Sequence, residues 1–179
     1  DWWDLSVELA QQVTERVANP QHARVLQVGC GDSPLGELLY RSFRHVHNID
    51  VSPLVIQRMR QRYPIEQWPG LTFEEADVRQ ARPRLPFDII VDKGGAWDLL
   101  RRSRPALNKL RAFIQESLRP GGLYFVVTDQ EPADFEQDCE NLGTLEGGIE
   151  FWGHVRAIWS YVVLRDVHGE PSLLQQQPH

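Results

Sequence analysis

Val25-Leu-Gln-Val-Gly-Cys-Gly-Asp-Ser-Pro-Leu-Gly36 is a short apolar run that breaks into two closely spaced glycines and then resumes with helix-compatible residues. Few folds accept that order. Val25 to Val28 has the length of a buried strand, and Gly29 and Gly31 permit a tight turn with the backbone close to a ligand, where a side chain would collide. Ser33 is placed as an N-cap and Pro34 as a first helical residue, so a helix is expected directly behind the glycines, its amides turned toward the ligand. A second apolar run ends in Asn48-Ile-Asp-Val-Ser52. Its Asp50, about 20 residues past the glycines, stands where a carboxylate accepts hydrogen bonds from both hydroxyls of a ribose. Together the two segments read as a nucleoside-cofactor site, with Gly29, Cys30 and Gly31 beneath the ligand and Asp50 and Val51 at its ribose. A dinucleotide turn needs a third glycine at position 34, where Pro34 stands. Pyrophosphate binding is thereby disfavoured, and S-adenosylmethionine, which has no phosphate, is preferred to NAD.

The rest of the chain alternates in the same way. Strands are expected at 24–28, 45–50, 71–75, 87–92 and 122–128, and helices at 34–42, 53–62 and 105–118. Leu5, Leu9, Val13 and Val17, at four-residue spacing, mark an amphipathic helix that Asn19-Pro20 terminates, placed beside the cofactor site. Such alternation means a parallel sheet with helices on both faces and ligands at the carboxyl ends of the strands. Gln80-Ala-Arg-Pro-Arg-Leu-Pro86 leaves little room for a full helix, so the crossover between the third and fourth strands is expected to be abbreviated. Beyond Thr128 a helix at 133–141, a loop at 143–148 and two strands within 151–166 are expected, with a turn near Gly153 or slightly later. Residues 169–179, with Pro171, Pro178 and Gln175-Gln-Gln177, read as a disordered tail. One domain over 1–168 remains, in which residues 1–20 flank the cofactor site.

Taken in order, these segments resemble the successive motifs of class I S-adenosylmethionine-dependent methyltransferases from roughly residue 22 to 166. The resemblance implies a Rossmann-like, seven-stranded, mostly parallel sheet closed by an antiparallel C-terminal hairpin. It also implies cofactor contacts from Asp77 and Val78, Asp77 meeting the adenine amino group. Gly29-Cys-Gly-Asp-Ser33, Asp50-Val-Ser52 and Asp92-Lys-Gly-Gly-Ala-Trp-Asp-Leu-Leu100 are similar to the methyltransferase-like group that includes the elongation factor one-alpha and citrate synthase lysine methyltransferases. That group carries Asp-Lys-Gly-Thr, whereas Gly95 stands here in place of the threonine, and Gln27 occupies a position that is acidic in most class I enzymes. Thr128-Asp-Gln-Glu-Pro132 resembles the citrate synthase enzyme, and Asp1-Trp-Trp-Asp4 resembles the aromatic segment before the group's first helix, which makes Trp3 a candidate cofactor contact.

The resemblance further implies methyl transfer, with a protein lysine amine as the first expectation. Displacement at a sulfonium gains most from holding the acceptor lone pair collinear with the methyl carbon. A lysine must arrive neutral, and an apolar, aromatic entrance lowers its pKa. Trp2, Trp3 and Trp97 are candidate walls, and Asp92, Asp129 and Glu131 are candidate orienting acids at strand ends. Each has a plainer reading: Asp50 as a helix cap, Asp77 as a turn cap, Asp92 as the partner of Lys93, Trp97, Trp152 and Trp159 as core aromatics, Asp129 and Glu131 as loop acids. Asp92 is also counted among the cofactor contacts. A small-molecule N-, O- or S-methyltransferase is the enzymatic alternative. A catalytically silent binding module is the other, given weight by Gln27.

Composition narrows the partners. A net charge of −6 and a pI near 5.5 argue against a broad nucleic-acid footprint, and the basic runs 58–62 and 101–104 read as solvated faces. Cys30 and Cys139 suggest neither a disulfide framework nor a metal site, which fits a reducing, cytoplasmic compartment. Without a run of 18 or more apolar residues, or a signal-peptide pattern, no membrane partner is expected. No Asn/Asp-Pro-Pro-Tyr/Phe block, phosphate loop or nucleophile elbow occurs, and oligomeric state is not legible.

Overall fold

The computed structural model describes residues 5–82, 86–141, 149–155 and 158–164. Five strands, β1 (Arg24–Val28), β2 (His45–Asp50), β3 (Leu71–Glu75), β4 (Phe87–Lys93) and β5 (Leu118–Thr128), lie parallel in the order β3-β2-β1-β4-β5. Past β5 the sheet continues through β7 (Ile158–Leu164) and β6 (Ile149–Val155), which pair antiparallel.

Strand residues alternate between two cores, as a sheet covered on both faces requires. Val25, Val46, Ile89, Val91 and Phe125 face helices α1 (Ser6–Glu15), α2 (Leu35–Tyr40) and α3 (Pro53–Arg62), meeting Leu9, Val13, Leu35, Leu39, Ile56 and Met59. Leu26, Val28, Ile90, Tyr124 and Val126 face α4 (Ala96–Leu100), α5 (Arg104–Ser117) and α6 (Pro132–Asn141) through Trp97, Leu107, Leu110, Ile114 and Phe135.

The five parallel strands, α3 and the shortened third crossover match the sequence expectation. Among the described residues, 76–82 form only a turn in which the Gln80 and Ala81 amides donate to the Asp77 carbonyl. Several boundaries differ. α1 stops at Glu15, before Asn19-Pro20, and the Thr14 hydroxyl bonds back to the Ala10 carbonyl. α2 starts one residue late, because Pro34 itself caps it and its carbonyl accepts from Leu38; Ser33 Oγ still accepts from the Leu35 amide at 3.3 Å but also meets Ser6 Oγ at 3.1 Å. β5 already pairs at Leu118, and its register against β4 then jumps from Phe87↔Leu118 to Ile89↔Leu123. The Pro120-Gly121-Gly122 segment, ahead of the strand expected from 122, lies within β5 at this irregularity, with Gly121 at φ 74°. Gly153 itself lies inside β6, and the change of strand falls slightly later, between Val155 and Ile158, within the expected range. The short helix α4 is not signalled by the local sequence.

Candidate functional site

The strands end together at one edge of the sheet, and every loop of interest leaves from that edge. After β1 the chain turns through Gly29 and Gly31 at φ 60° and 54°, a region costly for any residue with a Cβ. A Cβ on Gly29 would also sit 2.9 Å from Gly95 Cα, so the β1 and β4 loops touch glycine to glycine. No atom lies within 4 Å of a Cβ built on Gly31, which leaves open space above its backbone. The Cys30 amide donates to the Ile49 carbonyl at 3.1 Å and ties the turn to the end of β2. The Cys30 thiol is buried and pushed up to about 12, chiefly by that burial, so Cys30 offers backbone rather than thiolate chemistry.

Asp50 is held from two sides. Its Oδ2 accepts from the Gly31 amide and its Oδ1 from the Ser52 amide, both at 2.9 Å. Each oxygen keeps a lone pair for a further donor. Asp77, just past β3, is clamped by Arg79, whose Nη2 lies 2.7 Å from Oδ2, and this hydrogen bond is the main reason its carboxyl titrates below the ordinary range.

A cavity of about 670 Å³ opens over this edge. Gly29, Cys30, Gly31, Asp50, Val51, Asp77 and Val78, all expected from sequence, line it. Ser33, Arg79, Lys93, Gly94, Gly95, Ala96, Leu99 and Leu100 join them, and no sequence signal singles these out for the cofactor. The Asp92–Leu100 block is visible in the sequence; that Leu99 and Leu100 belong to a helix over the cavity is not.

Two expected site residues belong elsewhere. Asp92 is fully buried and does not line the cavity. Its Oδ1 accepts from the Gly95 amide at 3.0 Å, and its Oδ2 from the Trp97 amide at 2.7 Å and the Tyr124 hydroxyl at 3.1 Å. It acts as a positioning residue that shapes the loop from inside. Burial lifts its carboxyl to about 7 against the pull of these donors. Trp97 is 5% exposed and packs on Phe135 at 4.7 Å between ring centroids, its indole N–H donating to Gln130 Oε1 at 2.8 Å. It is a core aromatic, because the cap at Asp92 turns the α4 start inward. Asp129 is exposed and accepts from Arg101 Nη2 at 2.7 Å, and Glu131 is exposed as well. Gln27 is buried in β1, level with Asn48 of β2. Trp2 and Trp3 lie outside the described residues, as does the tail at 169–179.

The cradle fits an adenosine-bearing, phosphate-free ligand: an open space over Gly31, a carboxylate preset for paired hydroxyls, and no lysine or arginine in the glycine turn. Fold and site together define the S-adenosylmethionine-dependent class I methyltransferases. Residues 20–174 match the methyltransferase domain family, and the chain belongs to it.

Among its relatives, the eEF1A lysine and N-terminal methyltransferase of Bos taurus is 29% identical over 134 residues, covering 72% of this chain and 19% of that protein. Citrate synthase-lysine N-methyltransferase of Danio rerio is 28% identical over 175 residues, 87% of this chain and 68% of the relative. Malonyl-[acyl-carrier protein] O-methyltransferase of Paenibacillus sp. is 29% identical over 128 residues, covering 68% and 45%. The chain thus spans only a fraction of the length of several relatives. In fold it is similar to the N-methyltransferase NodS of Bradyrhizobium japonicum, solved with S-adenosyl-L-homocysteine, at a TM-score of 0.66 and 19% identity over 92% of this chain and 91% of that one.

Proposed function

We propose that this domain transfers the methyl group of S-adenosylmethionine to the side-chain amine of a protein lysine. Asp50 takes the ribose hydroxyls, the Gly29–Gly31 turn lies under the cofactor, and Asp77 with Val78 receives the adenine. The antiparallel β7 and β6 act as the closing hairpin of a seven-stranded class I sheet. When bound, the cofactor supplies an electrophilic methyl on a good leaving group, so the protein's task is alignment and exclusion of water. Asp129, at the end of β5, orients the incoming amine.

The observation that carries the lysine reading is the rim of the cavity. Val51 and Leu99, which line it, are 59% and 73% exposed, so the mouth is open and apolar. An open apolar mouth admits a side chain presented on a protein surface and favours its neutral form. The names of the relatives that act on eEF1A and citrate synthase lysines support the same reading. The acyl-carrier O-methyltransferase relative supports the alternative of a small acceptor.

Two measurements test the proposal. Asp50→Ala should weaken S-adenosylmethionine binding by more than tenfold in calorimetric titration, because a carboxylate accepting from two hydroxyls is lost; unchanged affinity would contradict the cofactor assignment. Labelled methyl from the cofactor should enter protein fractions, and acetylation of their lysines beforehand should block it. Label appearing only in low-mass compounds would overturn the lysine acceptor.

A further inference from the structure

Among the described residues no helix joins β3 to β4, and on the face of the sheet that α5 covers a second cavity, of about 330 Å³, lies beside β1, β2 and β3. It runs from Arg24 and His45, at the amino ends of β1 and β2, to Ala76 just beyond β3. Along β2 alone, His45 to Ile49 spans roughly 13 Å. Its apolar lining is Leu26, Ile49, Phe87 and Phe113, all members of the core under α5. A space of this volume, largely apolar with a few polar groups at one end, holds a small molecule.

The polar side chains on its walls divide into matched and unmatched. His47 turns Nδ1 to the Thr72 hydroxyl at 2.7 Å and Nε2 to Glu74 at 3.3 Å, and Arg82 pairs with Glu116 at 3.2 Å. Arg24 has no such match among the described residues. Its guanidinium carbon lies 5.8 Å from the ring centroid of Phe87, itself a cavity wall, and its Nε is buried without a hydrogen-bond partner. The nearby Asp88 carboxylate is used otherwise, one oxygen by the Arg24 backbone amide at 2.7 Å and the other by Arg119 at 2.9 Å. His45 is exposed and stands in register with Arg24 on the adjacent strand, about 4.8 Å away at sheet spacing. An arginine laid on an aromatic ring with its N–H groups unused suits a carboxylate, and an imidazole N–H beside it adds a donor. The apolar stretch beyond them suits a ligand with a hydrocarbon body rather than a compact, hydrated anion.

We infer that this cavity is a second ligand site, taking an elongated apolar monocarboxylate of the medium-chain fatty-acid class. Its carboxylate meets Arg24 and His45, and its chain runs along Leu26, Ile49 and Phe113 toward Ala76. Among the described lining residues the two cavities share Ala76 alone, so this inference stands apart from the cofactor reading.

The test is calorimetric titration of the chain and of Arg24→Gln with decanoate below its micellar range, with the neutral decanamide, and with acetate and inorganic phosphate. The unmutated chain should bind decanoate tenfold or more tighter than any of the others, since charge and chain are both recognised. Arg24→Gln should lose the preference for decanoate over decanamide and keep its urea midpoint, because that guanidinium holds no carboxylate in the fold. No uptake of decanoate by the unmutated chain overturns the inference, and so does equal affinity for decanamide, for acetate or for phosphate, without any variant. A preference that survives Arg24→Gln overturns it too. Displacement of decanoate by S-adenosylmethionine would put the probe in the other cavity with the same result. Self-association of the chain that Arg24→Gln weakens and decanoate leaves unchanged would give this face to a second copy instead.

Discussion

At the scale of single residues, Asp92 shows how a motif acid can serve a site without touching it. Three donors converge on its carboxylate, and burial still outweighs them in setting its titration at about 7. An unfolded aspartate titrates at about 3.9, so between there and about 7 the folded chain binds the extra proton, and stability falls as pH rises through that window. Asp98 is shifted in the same direction, mainly by burial. Urea unfolding of the unmutated chain should therefore show less stability at about pH 7.5 than at about pH 5, and Asp92→Asn should remove most of the Asp92 share of that difference, at most about 3 kcal/mol. Parallel pH profiles for the two chains would refute the assignment. Cys30, Gly29, Gly31 and Asp50 are legible in the sequence because backbone turns and strand-end acids arise from local spacing. The inward turn of Asp92 is not, since Tyr124 and the α4 start that capture it are remote or unsignalled.

Between elements, the decisive contact is the approach of the β1 and β4 loops. A Cβ at Gly95 would meet the Val28 carbonyl oxygen at 3.0 Å and Gly29 Cα at 3.1 Å, both backbone atoms that cannot swing aside. A side chain at this position therefore requires the two loops to part by a few tenths of an ångström. Gly95→Thr should cost about 1–3 kcal/mol in denaturant unfolding, as overpacking does, and should weaken cofactor binding because the Gly29 turn is pushed outward. An unchanged midpoint would show that the loops separate freely. The helix α4 depends on the same contact. Capped from within by Asp92, it buries Trp97 against Phe135, and Gln130 then links that indole to Asp138 of α6. The motif beside the cavity makes Trp97 a candidate wall on sequence grounds; the hydrogen bond from its indole to Gln130, 33 residues along the chain, decides otherwise.

For the whole molecule, ligand linkage gives a direct check. S-adenosylmethionine at about 100 times its Kd should stabilise the fold by about 2.7 kcal/mol, a rise in Tm of roughly 5–10 °C for a chain of this size, and NAD should give none. A shift with NAD and none with S-adenosylmethionine would reverse the choice made from Pro34. The sequence by itself determined the layered architecture and the cofactor edge: strand and helix periods, glycine turns and strand-end acids are properties of neighbouring residues, and parallel alternation places the site at the carboxyl ends of the strands. Only the tertiary structure decided which side of β4 each residue of the Asp92–Trp97 block would face, that Leu99 would stand exposed at the rim, and that Lys93 would be buried at the cavity wall. Those outcomes depend on how closely two loops from different strands approach, a distance set by glycine contacts and a buried cap between residues far apart in sequence.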